Sequence, residues 1–190
     1  MGELEATVDV AERIVDLLDE LGVASAVIGA MALAARGYPR NTADFDLATC
    51  ADPFRQLNVV ARRLAASGYE VDFREPDVDD PLGGVIDVVG AGFRTIQVVN
   101  FLNPYNRHAA RLAEEAIHDA EAVPGLRARV VTVPHLVALK LYAGGRRNEG
   151  DVVELLERNP HVALDEVRRV CERHGLGDGL EPLLRELSRA

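Results

Sequence analysis

The sequence IGAMALAARGYPRNTADFDLAT, residues 28–49, carries the strongest pattern in this chain. An apolar strand over 26–28 stops at a Gly-Ala pair, and a short helix follows over 31–36. A Gly-Tyr-Pro turn leads into residues 42–49, where polar and apolar side chains alternate with the period of two that is typical of a strand. The stretch therefore predicts two strands connected by a helix.

The second predicted strand carries two carboxylates, Asp44 and Asp46, which point to the same side because they stand two residues apart. Two carboxylates on one face repel each other, and a hard divalent cation keeps both ionised. Mg²⁺ suits such a pair, because it binds through one or two carboxylates together with the phosphate oxygens of a nucleotide. The alternative is a solvated sheet face, which is the usual setting of an isolated Asp-x-Asp pair.

Two further residues of the stretch suit a phosphate ligand. Gly29, at a strand-to-helix turn, lets a phosphate approach the backbone, where the N–H groups of a helix start can hold it. Arg40 lies four residues before Asp44, and its guanidinium has the fork geometry for bidentate contacts with phosphate oxygens or with a base. Taken singly, these residues are typical of a tight turn and a protein surface. It is their combination with the two carboxylates within 18 residues that indicates a site.

Patterns elsewhere in the chain predict a mixed α/β unit over residues 1–133, followed by a helical part over 134–190 packed on that core. The predicted elements are helices over 4–21, from 53 to 67, over 109–122 and from 134 onward, strands over 69–73, 85–89, 94–101 and 127–133, and a loop over 75–84.

The composition narrows the classes of function. The 190 residues carry 21 basic and 31 acidic side chains, a net charge of −10, and Lys140 is the only lysine. This balance argues against a protein that coats duplex DNA, which needs a basic face to neutralise phosphates. The longest nearly apolar run, 23–35, is too short to cross a membrane, and no apolar secretory region follows the acidic N-terminus, so a cytoplasmic protein is expected.

The motifs resemble the signature of the nucleotidyltransferase superfamily. Its pattern is Gly-(Gly/Ser/Ala)-x-Ala, a helix, Gly-x-x-Arg-x-Thr and Asp-(hydrophobic)-Asp, and residues 29–46 of this chain match it. Residues 133–156, with a Pro at a strand end, Lys140 on a helix, a basic turn and Asp151 before an apolar helix, are similar to a second block of the family. The resemblance covers residues 25–156 and is closest to small bacterial AbiEii-like toxins and minimal nucleotidyltransferases.

The resemblance implies an α/β fold with a short mixed sheet flanked by helices and a C-terminal helical extension. It also implies a reaction in which an acceptor hydroxyl attacks a nucleoside triphosphate, takes the nucleoside monophosphate and releases pyrophosphate. Asp44 and Asp46 are the implied catalytic residues and would hold two Mg²⁺ ions. The implied acceptor is a tRNA, a protein or a small molecule, and membership of a toxin–antitoxin pair would add a cognate antitoxin as partner. The implied nucleotide-binding residues are Gly29, Ala30, Arg40, Thr42 and Lys140.

The chain departs from the family pattern at two places. Ala30 replaces the second glycine of the usual pair, which is a mild change if its φ is negative. At the position of the family's third carboxylate this chain has Gln97, which cannot serve as a base. Asp87 and Asp72, on earlier strands, fit the hydrophobic-Asp-hydrophobic pattern in which that carboxylate stands. A catalytically weakened nucleotide-binding or regulatory module is therefore the alternative function, and a plain α/β domain with a metal-free Asp pair is the third.

Overall fold

The computed structural model of the chain describes residues 2–187. Residues 188–190, the end of the predicted helical part, lie outside the described residues. The strands are β1 Ser25–Val27, β2 Asp44–Thr49, β3 Glu70–Arg74, β4 Val85–Val89, β5 Thr95–Asn100, β6 Glu121–Val123 and β7 Leu126–Val130. The helices are α1 Glu3–Glu20, α2 Gly29–Ala35, α3 Asn58–Ala66, α4 His108–His118, α5 Val133–Ala143, α6 Arg146–Arg158, α7 Leu164–Arg173 and α8 Gly177–Leu187.

The strands form one mixed sheet in the order β3-β4-β5-β2-β1-β7-β6. The pairs β2–β5 and β1–β7 are parallel, and the other neighbours are antiparallel. The prediction of a short mixed sheet flanked by helices is confirmed. The strand β1 ends directly before residues 28–49 and β2 ends them, and the two strands lie side by side near the middle of the sheet with α2 between them in the chain.

The two faces of the sheet differ in character. Phe45 and Leu47 of β2 alternate with the two aspartates and are at most 1% exposed, as are Ile96 and Val98 on β5. The helices α1 and α3 contact each other, and both pack on the sheet. The opposite face of the same strands carries Asp44, Asp46 and Gln97, which are only partly buried.

The C-terminal helices are positioned by packing against the sheet-bound helices. Pro134 lies in the first turn of α5, where its missing N–H costs nothing. The helix α5 contacts α2, α4, α6 and α7, and eight of its eleven residues are buried. This packing holds the C-terminal half of α5 beside the start of α2. No helix of the described residues is long and apolar enough to cross a membrane.

The prediction of a helix over 109–122 is wrong at its C-terminal end. The helix α4 ends at His118, and Glu121–Val123 forms the edge strand β6, which pairs with β7. Between the two strands lie Pro124 and Gly125, the latter with φ +85°, the residue types that favour the two central positions of a type II turn. Because hairpin pairing satisfies the backbone there, it overrides the helical propensity of the alanines and glutamates before it.

The helix predicted after Asp52 begins with an irregular turn. Residues Pro53–Leu57 form a π-helical turn that continues directly into α3. The Asp52 carboxylate accepts hydrogen bonds from the backbone N–H groups of Phe54 and Arg55, both at 3.0 Å. Asp52 is thus the N-cap of this helix, and Pro53 follows it at the first helical position.

Candidate active site

The two aspartates of β2 lie on the polar face of the sheet, as their spacing predicts. Both are partly buried, whereas Phe45 between them is fully buried on the other face. The hydroxyl of Thr42 donates a short hydrogen bond to Asp44 Oδ1, and it accepts one from the Asp44 backbone N–H at 3.4 Å. Thr42 therefore orients the first carboxylate of the pair from the loop before the strand.

Gly29 allows the backbone at the start of α2 to approach the second carboxylate. Its φ is +62°, and a Cβ built at this position would overlap Asp46 Oδ2 and lie 2.8 Å from Asp46 Cγ. The backbone N–H of Ile28 also donates to the Asp46 carbonyl at 3.0 Å. A glycine is thus required here for two reasons, the left-handed conformation and the close contact. The next residue, Ala30, is buried, and the positive φ angles of the described residues all belong to glycines.

Two cations converge on the same place from different parts of the chain. Arg40 Nε lies 3.3 Å from Asp151 Oδ1, and Lys140 Nζ lies 2.8 Å from Asp151 Oδ2. The Asp151 side chain is only 3% exposed, so a single buried carboxylate on α6 holds the two cations of α5 and of the loop before β2. Lys140 also donates to Asn148 Oδ1 at 3.2 Å, and Asn148 Nδ2 donates to the Gly144 carbonyl at 2.7 Å.

The charges leave Asp46 incompletely compensated. Burial raises the pKa of Asp46 to about 7, with a further increase from the neighbouring Asp44 carboxylate. Lys140 and Arg40 act in the opposite direction but do not outweigh these effects. Both cations also have Asp151 as a partner. A cation placed between Asp44 and Asp46 would remove this unfavourable charge.

A row of polar residues continues from Asp46 across the neighbouring strands. Asp46 pairs in register with Gln97 on β5, Gln97 with Asp87 on β4, and Asp87 with Asp72 on β3. Gln97 Nε2 donates to Asp87 Oδ1 at 2.5 Å, and Arg74 lies 3.4 Å from the other oxygen of Asp87. The side chain opposite Asp46 is therefore a neutral amide, and Asp87 lies one strand further away.

Two cavities meet at this site. A polar cleft of about 530 Å³ is lined by Gly29, Arg40, Asn41, Thr42, Ala43, Asp44, Asp46, Lys140 and Arg147. A mainly apolar pocket of about 400 Å³ shares Gly29 and Lys140 with the cleft and is otherwise lined by Ile28, Pro81, Leu82, Val99, Phe101, Leu136, Leu139, Tyr142, Ala143 and Asn148. A ligand with a charged end and an apolar end can therefore occupy both.

Six of the seven residues predicted from the sequence line the cleft, and the seventh, Ala30, is buried beside it. Sequence reasoning did not assign a role to Asp151 or Asn148. The signal for Asp151 was present, since an acid followed by Val-Val-Glu-Leu-Leu interrupts the apolar face of a helix. Asp151 is buried together with Val152 and Leu155 of the same helix, so its charge needs a buried partner.

The carboxylates of the cleft fit a divalent cation that is completed by other ligands. Within residues 2–187 there is no group of three or more His, Cys, Asp or Glu side chains arranged to hold a metal ion. The protein supplies two carboxylates at this site, which is the number through which Mg²⁺ binds when phosphates supply further oxygens.

The fold is that of nucleotidyltransferase-like proteins. No protein-family model matches the chain, and no curated protein matches it significantly. Among solved structures, the solution structure of the antibiotic-resistance factor ANT(2'')-Ia is 14% identical over 97% of this chain and 96% of its own, with a TM-score of 0.56. An antigenic nucleotidyltransferase-like protein from Paracoccidioides brasiliensis is 16% identical over 99% and 93% of the two chains, with a TM-score of 0.53. At these identities the likeness establishes the fold.

Proposed function

We propose that the chain is a metal-dependent nucleotidyltransferase that transfers a nucleoside monophosphate from a nucleoside triphosphate to an acceptor hydroxyl. The acceptor oxygen forms a bond to the α-phosphorus, the bond from the α-phosphorus to the pyrophosphate oxygen breaks, and the hydroxyl proton passes to solvent. The observation that carries this proposal is the convergence of Gly29, the Asp44–Asp46 pair and Lys140 around one cleft, on a fold of nucleotidyltransferase-like proteins.

In this proposal each residue of the cleft acts on a different part of the substrate. Asp44 and Asp46 would hold Mg²⁺, as two ions in this proposal, and the metal would supply charge neutralisation at the phosphates and orientation of the attacking oxygen. Lys140 and Arg40 bind phosphate oxygens, one as a point charge and one as a fork. Thr42 keeps Asp44 in position, and Gly29 leaves space beside Asp46.

The apolar pocket is the proposed site of the nucleoside. It adjoins the cleft through Gly29 and Lys140, so a triphosphate in the cleft brings its base to the pocket. Phe101 and Leu139 supply apolar surface there, which suits a planar base. We also propose that residues 134–190 act as the helical part of the active site, because α5 and α6 supply Lys140 and Asp151.

The acceptor is a tRNA, a protein or a small molecule. A small molecule has one supporting parallel, since a crystal structure of ANT(2'')-Ia with adenylyl-2''-tobramycin matches 89% of this chain with a TM-score of 0.53 at 14% identity. A cytoplasmic toxin with a cognate antitoxin is the further proposal that the AbiEii-like motifs support. Its test is induced expression in bacteria, where the wild type must arrest growth and Asp44→Ala must not.

A second candidate function is a nucleotide-binding or regulatory module with little turnover. The observation that favours it is the pairing of Asp46 with Gln97, because an amide cannot take a proton from the acceptor. Binding of nucleotide without transfer would be its signature.

Labelled transfer assays distinguish the two functions. The purified chain is incubated with Mg²⁺ and each of four α-labelled nucleoside triphosphates, together with total tRNA, cell lysate or a panel of hydroxylated small molecules. Label that moves to an acceptor with the wild type but not with Asp44→Ala supports the enzyme. Nucleotide binding in calorimetry with equal, background-level transfer by both proteins supports the regulatory module instead.

A further inference from the structure

The residue that faces the catalytic pair from the neighbouring strand is neutral. Gln97 is the register partner of Asp46 across β2 and β5, and paired strands lie only about 4.8 Å apart. Both side chains belong to the polar face, so Gln97 is the residue next to Asp46 in the row on that side. It adds no negative charge to the site.

The side-chain amide of Gln97 is held in place by Asp87, its register partner on β4. Its Nε2 donates to Asp87 Oδ1 at 2.5 Å, and Arg74 Nη2 lies 3.4 Å from Asp87 Oδ2. Both oxygens of Asp87 therefore have partners, Gln97 on the side towards Asp46 and Arg74 on the side away from it. Asp87 is two strands away from Asp46 in the row, and Gln97, which stands between them, engages its Oδ1.

We propose that Gln97 makes cation binding at Asp44 and Asp46 depend on the triphosphate. The protein offers two carboxylates, and the position from which a third would come is occupied by an amide tied to Asp87. A divalent cation then binds weakly to the free protein and tightly only when phosphate oxygens complete its ligands. This rests on the proposed function for the identity of the missing ligand, but the central measurement needs no nucleotide.

The test is a titration with Mn²⁺ as the probe, followed by electron paramagnetic resonance of the free ion, on the full chain without nucleotide. We expect no wild-type site tighter than about 1 mM, and for Gln97→Asp an affinity at least about tenfold higher, because ligand charge sets cation affinity. Gln56→Asp is the matched control, since Gln56 is exposed and lies outside the cleft, and it must behave as the wild type. In a second arm, a non-hydrolysable ATP analogue must tighten Mn²⁺ binding to the wild type by more than tenfold over the analogue alone.

The outcomes separate the two proposals. Wild-type binding of Mn²⁺ at tens of micromolar without nucleotide, or equal affinities of wild type and Gln97→Asp, overturns the role of Gln97 whether or not nucleotide binds. The ATP analogue can fail to tighten Mn²⁺ binding while Gln97→Asp still binds Mn²⁺ clearly more tightly than the wild type. That result refutes the nucleotide site, and the effect of Gln97 on the carboxylate pair stands. If Gln97→Asp does not fold, Asp87→Asn decides the point. If Asp87→Asn binds Mn²⁺ as the wild type does, Gln97 is the limiting residue. If Asp87→Asn binds Mn²⁺ more weakly, Asp87 is a ligand and the proposed role of Gln97 is overturned.

Discussion

Gly29→Ala is the substitution for which the structure gives the clearest expectation. The new methyl group would stand at φ +62° and overlap the Asp46 carboxylate. Placing an alanine in the left-handed region costs about 1–2 kcal/mol. Forcing a methyl group into occupied space costs about 1–3 kcal/mol more. We therefore expect the free energy of unfolding to fall by about 2–5 kcal/mol.

The matched control is Gly22→Ala. Gly22 has a similar φ of +69°, but no described heavy atom lies within 4 Å of the position of its Cβ. Both substitutions reduce the entropy of the unfolded chain in the same way, so this effect cancels in the comparison. Gly22→Ala is expected to lose about 1–2 kcal/mol, and the difference between the variants isolates the contact with Asp46.

The functional consequence follows from the same contact. If the methyl group displaces Asp46 by about 1 Å, the transfer rate falls about 100-fold. Urea unfolding gives the stabilities, and pyrophosphate release at saturating nucleotide gives the rates. Equal stability losses and equal rates for Gly29→Ala and Gly22→Ala would refute the argument that Gly29 is present to make room for Asp46.

Three further predictions concern the charges of the site. In metal-free buffer, Asp46→Asn is expected to be more stable than the wild type at pH 8 by up to about 4 kcal/mol. Because the folded pKa of Asp46 is raised to about 7, the wild type loses stability as the pH rises from about 4 to 7, and urea unfolding must show the two proteins converging near pH 4. Asp151→Asn leaves the buried Lys140 and the largely buried Arg40 without a counter-charge and is expected to cost about 3–5 kcal/mol. The control Asp165→Asn, which removes a 90% exposed carboxylate from a surface ion pair, is expected to cost under about 0.5 kcal/mol in the same thermal unfolding series. Lys140→Arg keeps the charge but places a larger group in a position that is 8% exposed. Calorimetry is therefore expected to show about tenfold weaker nucleotide binding. An unchanged affinity would contradict a site shaped for an ammonium group.

The sequence predicts most of the fold and the carboxylate pair because these depend on local patterns. Asp44 and Asp46 share a face by alternation alone, and Asp52 caps its helix through residues two and three positions away. The strand at 121–123 is missed because its pairing with β7 is decided by the turn at Pro124 and Gly125, whereas the preceding residues favour a helix.

The parts of the site that the sequence does not reveal depend on packing between distant elements. Asp151 meets Arg40 only because α6 packs on α5 and the loop before β2 reaches the same place. The hydrogen bond between Gln97 and Asp87 depends on the register of two antiparallel strands, which spacing in the sequence does not specify. In each case the residue types are visible in the sequence, and the partner is not.

The charge pattern of the cleft explains how its cations stay in place without a ligand. A buried lysine and a largely buried arginine would be costly alone, and Asp151 supplies the charge that stabilises both. Lys140 and Arg40 lower the pKa of Asp46 only in part, and burial of this carboxyl together with the Asp44 charge keeps that pKa raised. The free protein therefore has cations that are satisfied and a carboxylate pair that is not. In the proposed function this deficit would be reversed, since Asp44 and Asp46 would hold a metal ion while the phosphates of the nucleotide would share Lys140 and Arg40 with Asp151.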